Sequence, residues 1–415
     1  MRLRPKTLVG AGALAAAVAL AAGCSSASST GNSSTGSSAS AAAASSSAPI
    51  KIGVIATLSA VLPGAFVQPW SVDGIQAAAD TINAQGGING RKVQVVVCDN
   101  GGDPNRDTAC AREAVTDGWV ADVGGFDPYD PNLVLPILQA ASIPYLGLFE
   151  SAPVEYETSN TFPIEIGSVG SYVGTAAQMV SHGCKRPAFI NITSESYSSI
   201  AQDVKDVFAK AGVTYGGAIP YQTGTINFAP VIASALAQKP DCIMFVGQSS
   251  DAVKVFTGIR QAGSTAALFT PPGVLIPQVI TALGKTADGI EGATGAPLPD
   301  NPSPAITQMI KNLGTYSKLS YTNEYATDGY AAVLLLQQAL AGMKDITPAN
   351  LLAKLNTMTN VQVLNFPAIN YTKTRASKIY PRMFNTYVWY GVVKNGEWTG
   401  LAASQPPVNI AQYLP

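Results

Sequence analysis

The sequence predicts an α/β protein of two doubly wound parallel-sheet lobes joined by a hinge. Three observations predict it. Short apolar runs alternate with amphipathic stretches through residues 51–294. The alternation passes through two successive series, and repeated βαβ units make parallel sheets covered by helices on both faces. The rest of the chain is mostly helical and ends in a hairpin pattern that must complete or cap the lobes. The chain therefore crosses between lobes more than once.

In the first series, 51–56, 92–98, 119–123, 143–148 and 162–166 read as strands, with helices near 65–85, 107–117 and 130–141. The first helix shows the reasoning. Val72, Ile75, Ala79 and Ile82 recur at helical spacing, which marks one apolar face. Gly86, Gly87 and Gly90 follow within a few positions, and glycine ends helices and makes turns because positive φ costs it nothing. Val93 and Val95 to Val97 then read as a buried strand.

In the second series, 186–192, 217–221, 241–246, 267–270 and 289–294 are expected strands. Helices near 169–182, 196–211, 228–237 and 249–262 connect them. Beyond these, 303–313, 323–342 and 347–357 show helical spacing. Residues 386–393, the Asn395-Gly396 pair and Trp398 make a hairpin signal.

The N-terminus places the chain outside the cell. Arg2, Arg4 and Lys6 precede an apolar core from Leu8 to Ala22, the pattern of a secretory signal. That core falls short of the ~20 residues a spanning helix needs. It ends LAAGC, Leu20 to Cys24, which resembles the bacterial lipobox, so residues 1–23 are expected to be removed and Cys24 lipidated. Residues 24–48 are almost only Ser, Ala, Gly, Thr and Asn, a flexible tether unable to bury a core. The expected location is extracytoplasmic, lipid-anchored to the outer face of the bacterial cell membrane.

The whole chain carries 25 Lys and Arg against 26 Asp and Glu. Three of the basic residues belong to the signal, so the mature chain is mildly acidic. The absence of any Lys/Arg block argues against nucleic acid. Besides Cys24 there are Cys98, Cys110, Cys184 and Cys242. An even number in an exported chain suggests two disulfides. Cys98 and Cys110 are nearest in sequence, while Cys184 and Cys242 begin two expected strands and meet if those strands are neighbours. Buried free thiols are the alternative. No metal site is expected, because there is no Cys-x-x-Cys pair and the sole histidine is His182. No cofactor is expected.

IKIGVIATLSA, GIQAAADTINAQGGINGRKVQVVVCDNGGDPN, TFPIEIGSVGS, PDCIMFVG and YATDGYAAVLLL are spread over residues 49–400. In these segments the chain resembles the leucine/isoleucine/valine-binding protein family, the extracytoplasmic receptors of branched-chain amino-acid type ABC importers. The GGINGRK turn is the most specific piece. The resemblance implies the type I periplasmic-binding-protein fold, with three crossovers and a hinged closure on ligand. Lobe 1 is expected over 49–167 and 298–383, lobe 2 over 168–297 and 384–415. It implies a small-molecule ligand, an ABC transporter permease as partner, and a monomer.

In open α/β sheets ligands sit beyond the carboxyl ends of the strands, and between lobes the cleft is favoured. That selects 57–66, 126–130 and 149–151 in the first lobe, and 193–197, 247–250 and 271–274 in the second. Candidate ligand-binding residues are Phe126, Asp127, Tyr129, Glu150, Ser151, Tyr197 and Gln248. Tyr197 matches the tyrosine that the resemblance implies in the second lobe. The acid implied to pair a ligand ammonium would fall at Pro272, so it is missing. These loops hold Asp127, Asp130, Glu150 and Glu195 but no Lys or Arg. A ligand with an ammonium, another cationic group or several hydroxyls is therefore expected, because a bare anion would be repelled.

Glu150 is the candidate for a charge-assisted bond to that ligand. The aromatics offer an apolar or cation-binding surface, and Trp70 sits near the start of the first helix. The expected function is capture of a small polar solute, an amino acid or related compound, for delivery to a permease. A sensor of the same fold is the alternative. A hydrolase is disfavoured: a serine triad needs a histidine base, and GQSSD at 247–251 fails the nucleophile-elbow pattern.

Overall fold

The computed structural model describes residues 48–415 except 62–64, 127–129, 148, 194, 299, 301–302, 318, 320–322 and 403–405; the side chains of 195–199 also fall outside the description. The described residues form one unit holding two sheets. The first comprises β1 (Ile50–Ala56), β2 (Val93–Asp99), β3 (Asp122–Val123), β4 (Tyr145–Leu146) and β5 (Thr161–Phe162). Its order is β2-β1-β3-β4-β5, all parallel. The interleaved helices are α1 (Trp70–Ala84), α2 (Pro104–Thr116), α3 (Pro131–Ala140) and the short α4 (Pro153–Glu157).

The second sheet is fed by α5 (Gly167–His182), β6 (Pro187–Ile192), α6 (Glu195–Lys210), β7 (Ala218–Tyr221), α7 (Ala229–Ala237) and β8 (Cys242–Val246). The chain continues through α8 (Ser249–Gln261), β9 (Ala267–Phe269), α9 (Pro277–Leu283) and β10 (Glu291–Thr294). It then returns to the first lobe as α10 (Pro304–Tyr316), α11 (Glu324–Leu340) and α12 (Pro348–Leu355). It finishes in β11 (Tyr387–Lys394), β12 (Glu397–Gly400) and β13 (Val408–Asn409). The order is β12-β11-β10-β9-β8-β6-β7, with β13 also on β11. The pairings of β6 to β10 are parallel, while β11 runs antiparallel to β10, β12 and β13. The expected hairpin is thus an antiparallel margin on a parallel sheet.

Strands covered on both faces are apolar at successive positions. In β8, Met244 and Val246 face α5 and α6, while Ile243 and Phe245 face the α7–α9 side. In β1, Ile50, Ile52 and Val54 join the core beneath α1 and α11, and Ile55 joins the α2–α3 side. The two disulfides are Cys98–Cys110, tying β2 to α2, and Cys184–Cys242, tying the loop before β6 to β8.

The GGINGRK turn has a steric reason. Asn89 and Gly90 have φ of 51° and 78°, and Gly87 has φ of 82°. A methyl on Gly87 would lie 2.0 Å from the Arg91 carbonyl oxygen, so only glycine lets the turn fold onto the strand entry.

Some expected elements are shorter. The strand expected over 119–123 is only Asp122–Val123, because Trp119 is buried as a core plug against Gly53. The one expected over 162–166 stops at Phe162, before Pro163, and the next residues cross to the other lobe. The first helix starts at Trp70, directly after Pro69. The helices α4 and α9, both starting at proline, were not expected. They are five and seven residues long, too short for a periodic signal.

Candidate functional site

The chain passes between the sheets after β5, after β10 and before β11. The site is built where the carboxyl ends of the first sheet meet these crossings. Asp99, at the end of β2, fixes the loop after β1. It accepts from the amides of Leu58, Ser59 and Gly101 and from the Ser59 hydroxyl. Partial burial alone would raise its pKa, but these bonds hold it below the usual carboxylate value. The neighbouring Thr57 hydroxyl donates to the Asn100 side-chain oxygen at 2.7 Å.

Above this loop stands an aromatic wall of Phe66, Trp70, Phe126, Phe149 and Tyr325. Tyr325, in the first turn of α11, is its centre. Its ring centroid lies 5.0 Å from Phe149, 5.3 Å from Phe126 and 6.2 Å from Phe66, and it stacks on Trp70 at 6.1 Å. Phe126 also meets Phe66 and Phe149 edge-on. Offset and edge-to-face geometries of this kind are the favoured ones. Trp70 and Phe66 are half-buried and the other three rings are buried.

Beside the wall lies a group of buried acids. Glu150 follows β4, Glu165 lies on the first crossing, and Glu324 and Asp328 sit one turn apart on α11. Their exposures are 1%, 1%, 5% and 1%. Among the described residues, Oε2 of Glu150, Oε1 of Glu165 and both oxygens of Asp328 have no hydrogen-bond partner. Glu324 reaches the second lobe. Its Oε2 accepts from the Thr294 hydroxyl at 2.8 Å, and the Gly273 amide also donates to the carboxyl.

Burial disfavours the charged forms. It raises Glu324 to about 7 despite the bonds from Thr294 and Gly273. It raises Glu165 to about 8, helped by the charge on Glu324. Asp328 is held well above its ordinary value by burial, then by Glu165, Glu324 and Glu150. Glu150 is likewise raised by burial, then by Glu155 and Glu165.

The sequence candidates separate accordingly. Phe126 belongs to the aromatic wall. Glu150, the candidate partner for the ligand, is enclosed with 1% exposure; its carbonyl oxygen accepts from the amide and hydroxyl of Ser168 at 2.8 and 3.0 Å. Ser151 donates its amide to Glu155 Oε2 at 2.7 Å, as does the Ala152 amide at 2.8 Å, so Glu155 closes the start of α4. Gln248 is the residue before α8, half-buried at the end of β8. Asp127, Tyr129, the Tyr197 side chain and Cys24 lie outside the described residues.

Sequence reasoning passed over Tyr325, Glu324, Asp328 and Glu165. For Glu165, in FPIEIG, a lone acid inside an apolar stretch was the signal, because Asp and Glu are seldom fully buried. Glu324 also bears on the missing acid at Pro272. A methyl on Gly273 would sit 2.2 Å from Glu324 Oε1, so an acid from the first lobe occupies the flank of that second-lobe loop.

Among the described residues, Cys184, Cys242 and Asp241 place potential metal donors within 4.8 Å of one another. The two sulfurs are joined as a disulfide, and Asp241 accepts from the amides of Lys185 and Arg186. Among the described residues no helix is long and apolar enough to cross a membrane.

The Leu/Ile/Val-binding protein of Escherichia coli (strain K12) is 26% identical over 257 residues, covering 58% of this chain and 66% of that protein. The Leu/Ile/Val/Thr-binding protein of Salmonella typhimurium is 26% identical over 255 residues, with the same coverages. The chain thus spans slightly less than two thirds of these relatives. Among solved structures, the leucine binding protein LivK from Thermotoga maritima superposes with a TM-score of 0.72 at 17% identity, covering 88% of this chain and 99% of that one. A solute binding protein from R. palustris in complex with benzoate gives 0.70 at 17% identity, covering 88% and 98%. These likenesses carry the type I fold of two lobes and a hinge. Residues 49–380 match the family model described as periplasmic binding protein, and the chain belongs to that family.

Proposed function

We propose that this chain is the extracytoplasmic substrate-binding lipoprotein of an ABC importer. It captures a small solute, an amino acid or related compound, between its lobes and hands it to a membrane permease as a monomer. It performs no chemistry on the solute. The lipid on Cys24 and the tether of 24–48 keep it at the membrane surface.

The observation that carries the reading is the aromatic wall around Tyr325, bordered by Glu324 at the Gly273 loop. An aromatic face takes an apolar or cationic group, and a carboxylate at its edge takes an ammonium. Relatives named for leucine, isoleucine and valine fit a ligand with both features.

The test is thermal unfolding of the full chain against amino acids, amines, polyols and aromatic acids. A ligand at ~100 times its dissociation constant adds roughly 2.7 kcal/mol of stability. Stabilisation by an amino acid or related amine, lost in Tyr325→Ala, supports the reading. Stabilisation by polyols alone would overturn the ligand class.

A further inference from the structure

We propose that the lobe junction is a proton-sensitive hinge, in which Glu150, Glu165, Glu324 and Asp328 let the lobes lie together while they carry protons and drive the first crossing away from α11 when they ionise. The inference concerns the lobe geometry of the ligand-free chain, in which no ligand ammonium reaches Glu324.

Position is the first ground. Glu165 lies between β5 of one lobe and α5 of the other, so it moves with the hinge. It also touches the second crossing: a methyl on Gly295 would sit 1.4 Å from Glu165 Oε2. Facing it from α11 are Asp328 and Glu324, and Glu324 is bonded to Thr294 at the end of β10. Both crossings and a bridge between the lobes therefore meet at one group of acids.

The second ground is the missing compensation. The four oxygens without partners belong to side chains that are 99% buried. The α4 helix supplies Glu155 and Tyr156. Glu155 is itself an acid, and Tyr156 donates its hydroxyl to the Ile166 carbonyl at 2.9 Å. The α5 helix supplies the hydroxyls of Ser168 and Ser171. The segment before β11 supplies Tyr371 and Arg382. Arg382 donates to the Thr161 carbonyl and lies over the rings of Phe162 and Phe384. Among the described residues, no Lys, Arg or His forms an ion pair with any of the four acids. Among the described residues, only the amides of Ile166 and Gly167, at the start of α5, stabilise a charge on Glu165.

Several like charges enclosed without a cation cannot all ionise in place. Either protons stay bound or the enclosure opens to water. Opening is mechanically available here, because the enclosure is the contact between hinge and lobe. Protons bind the closed form more tightly, so a fall in pH shifts the population toward it.

The experiment is small-angle scattering of the full, ligand-free chain from pH 5.5 to 9, with far-UV circular dichroism in parallel. The expected result is a rise in radius of gyration with a midpoint between about 7 and about 8, at constant secondary structure. Asp328→Asn and Glu165→Gln are expected to move that midpoint up by at least about one pH unit or abolish it, since each removes one charge from the enclosure. The leader is the same in all three proteins and cancels in the comparison. A radius constant over the range overturns the proposal, and so does a midpoint unchanged in both variants. Loss of secondary structure along with the expansion also overturns it, since that is unfolding rather than opening. If Asp328→Asn fails to fold, Glu165→Gln alone decides between these outcomes.

Discussion

The Thr294 hydroxyl donates to Glu324 Oε2 at 2.8 Å, joining the last parallel strand of one lobe to the first turn of a helix in the other. Both residues are buried. The same hydroxyl accepts from the Ala296 amide at 3.1 Å, so it also shapes the second crossing. Replacing it with the near-isosteric Thr294→Val leaves a buried carboxyl without this donor. That costs roughly 1–3 kcal/mol. The expected outcome is a lower denaturation midpoint, together with weaker binding of any solute found to stabilise the chain. Unchanged midpoint and affinity would mean that this bond holds nothing together.

Glu165 and Glu324 set the pH dependence of stability. Both bind protons more tightly in the folded chain, at about 8 and about 7, than in an unfolded one, at 4.5. The stability they contribute is therefore complete below pH 4.5 and drains away as pH rises through 7 and then 8. A melting temperature that falls between pH 6 and 9, and falls less in Glu165→Gln, is the expected result. A melting temperature that rises across this interval would show that these acids are ionised and satisfied in the folded protein.

The alternation of strands and helices was legible because period 2 and period 3.6 patterns survive in a single sequence. Strands such as Cys242–Val246 were clear, since a strand buried on both faces is an uninterrupted apolar run. Short elements such as Pro153–Glu157 were not, since one helical turn has no period to detect. Phe126 was legible as a candidate because it lies in the loop just after the third strand, and the structure places its ring in the aromatic wall. Tyr325 was not, although YATDGYAAVLLL was recognised as a segment, because its role depends on where α11 points its first turn. Glu150 was read as a partner for the ligand, and its near-complete burial was not legible. The acids it interacts with, Glu165 and Asp328, lie 15 and 178 positions away in the chain.

The disulfides differ in the loops they close. Cys98–Cys110 spans 12 residues and Cys184–Cys242 spans 58. Chain-entropy arguments assign about 3 kcal/mol to the shorter loop and about 4 kcal/mol to the longer. The pair Cys184→Ser with Cys242→Ser is thus expected to lower the urea midpoint more than Cys98→Ser with Cys110→Ser. The longer bridge also joins the loop before β6 to β8 within the second sheet. Equal losses from the two pairs would mean that native-state packing, rather than loop length, sets their contributions.

Gly295 and Glu165 lie on different crossings and come within contact of each other. A methyl on Gly295 would meet Glu165 Oε2 at 1.4 Å and Ile166 Cγ2 at 3.0 Å, well inside normal separation. Overpacking a buried contact costs typically ~1–3 kcal/mol. Gly295→Ala is therefore expected to destabilise the closed arrangement by about that amount. Glu165→Ala should cost less, because it removes an enclosed acid along with its packing. The double variant decides the cause. If the clash with the carboxyl is what matters, Gly295→Ala costs little in the Glu165→Ala background, and the cycle shows a coupling of at least about 1 kcal/mol. If the two losses add, the methyl is acting on Ile166 or on the backbone instead, and the crossings do not communicate through this pair.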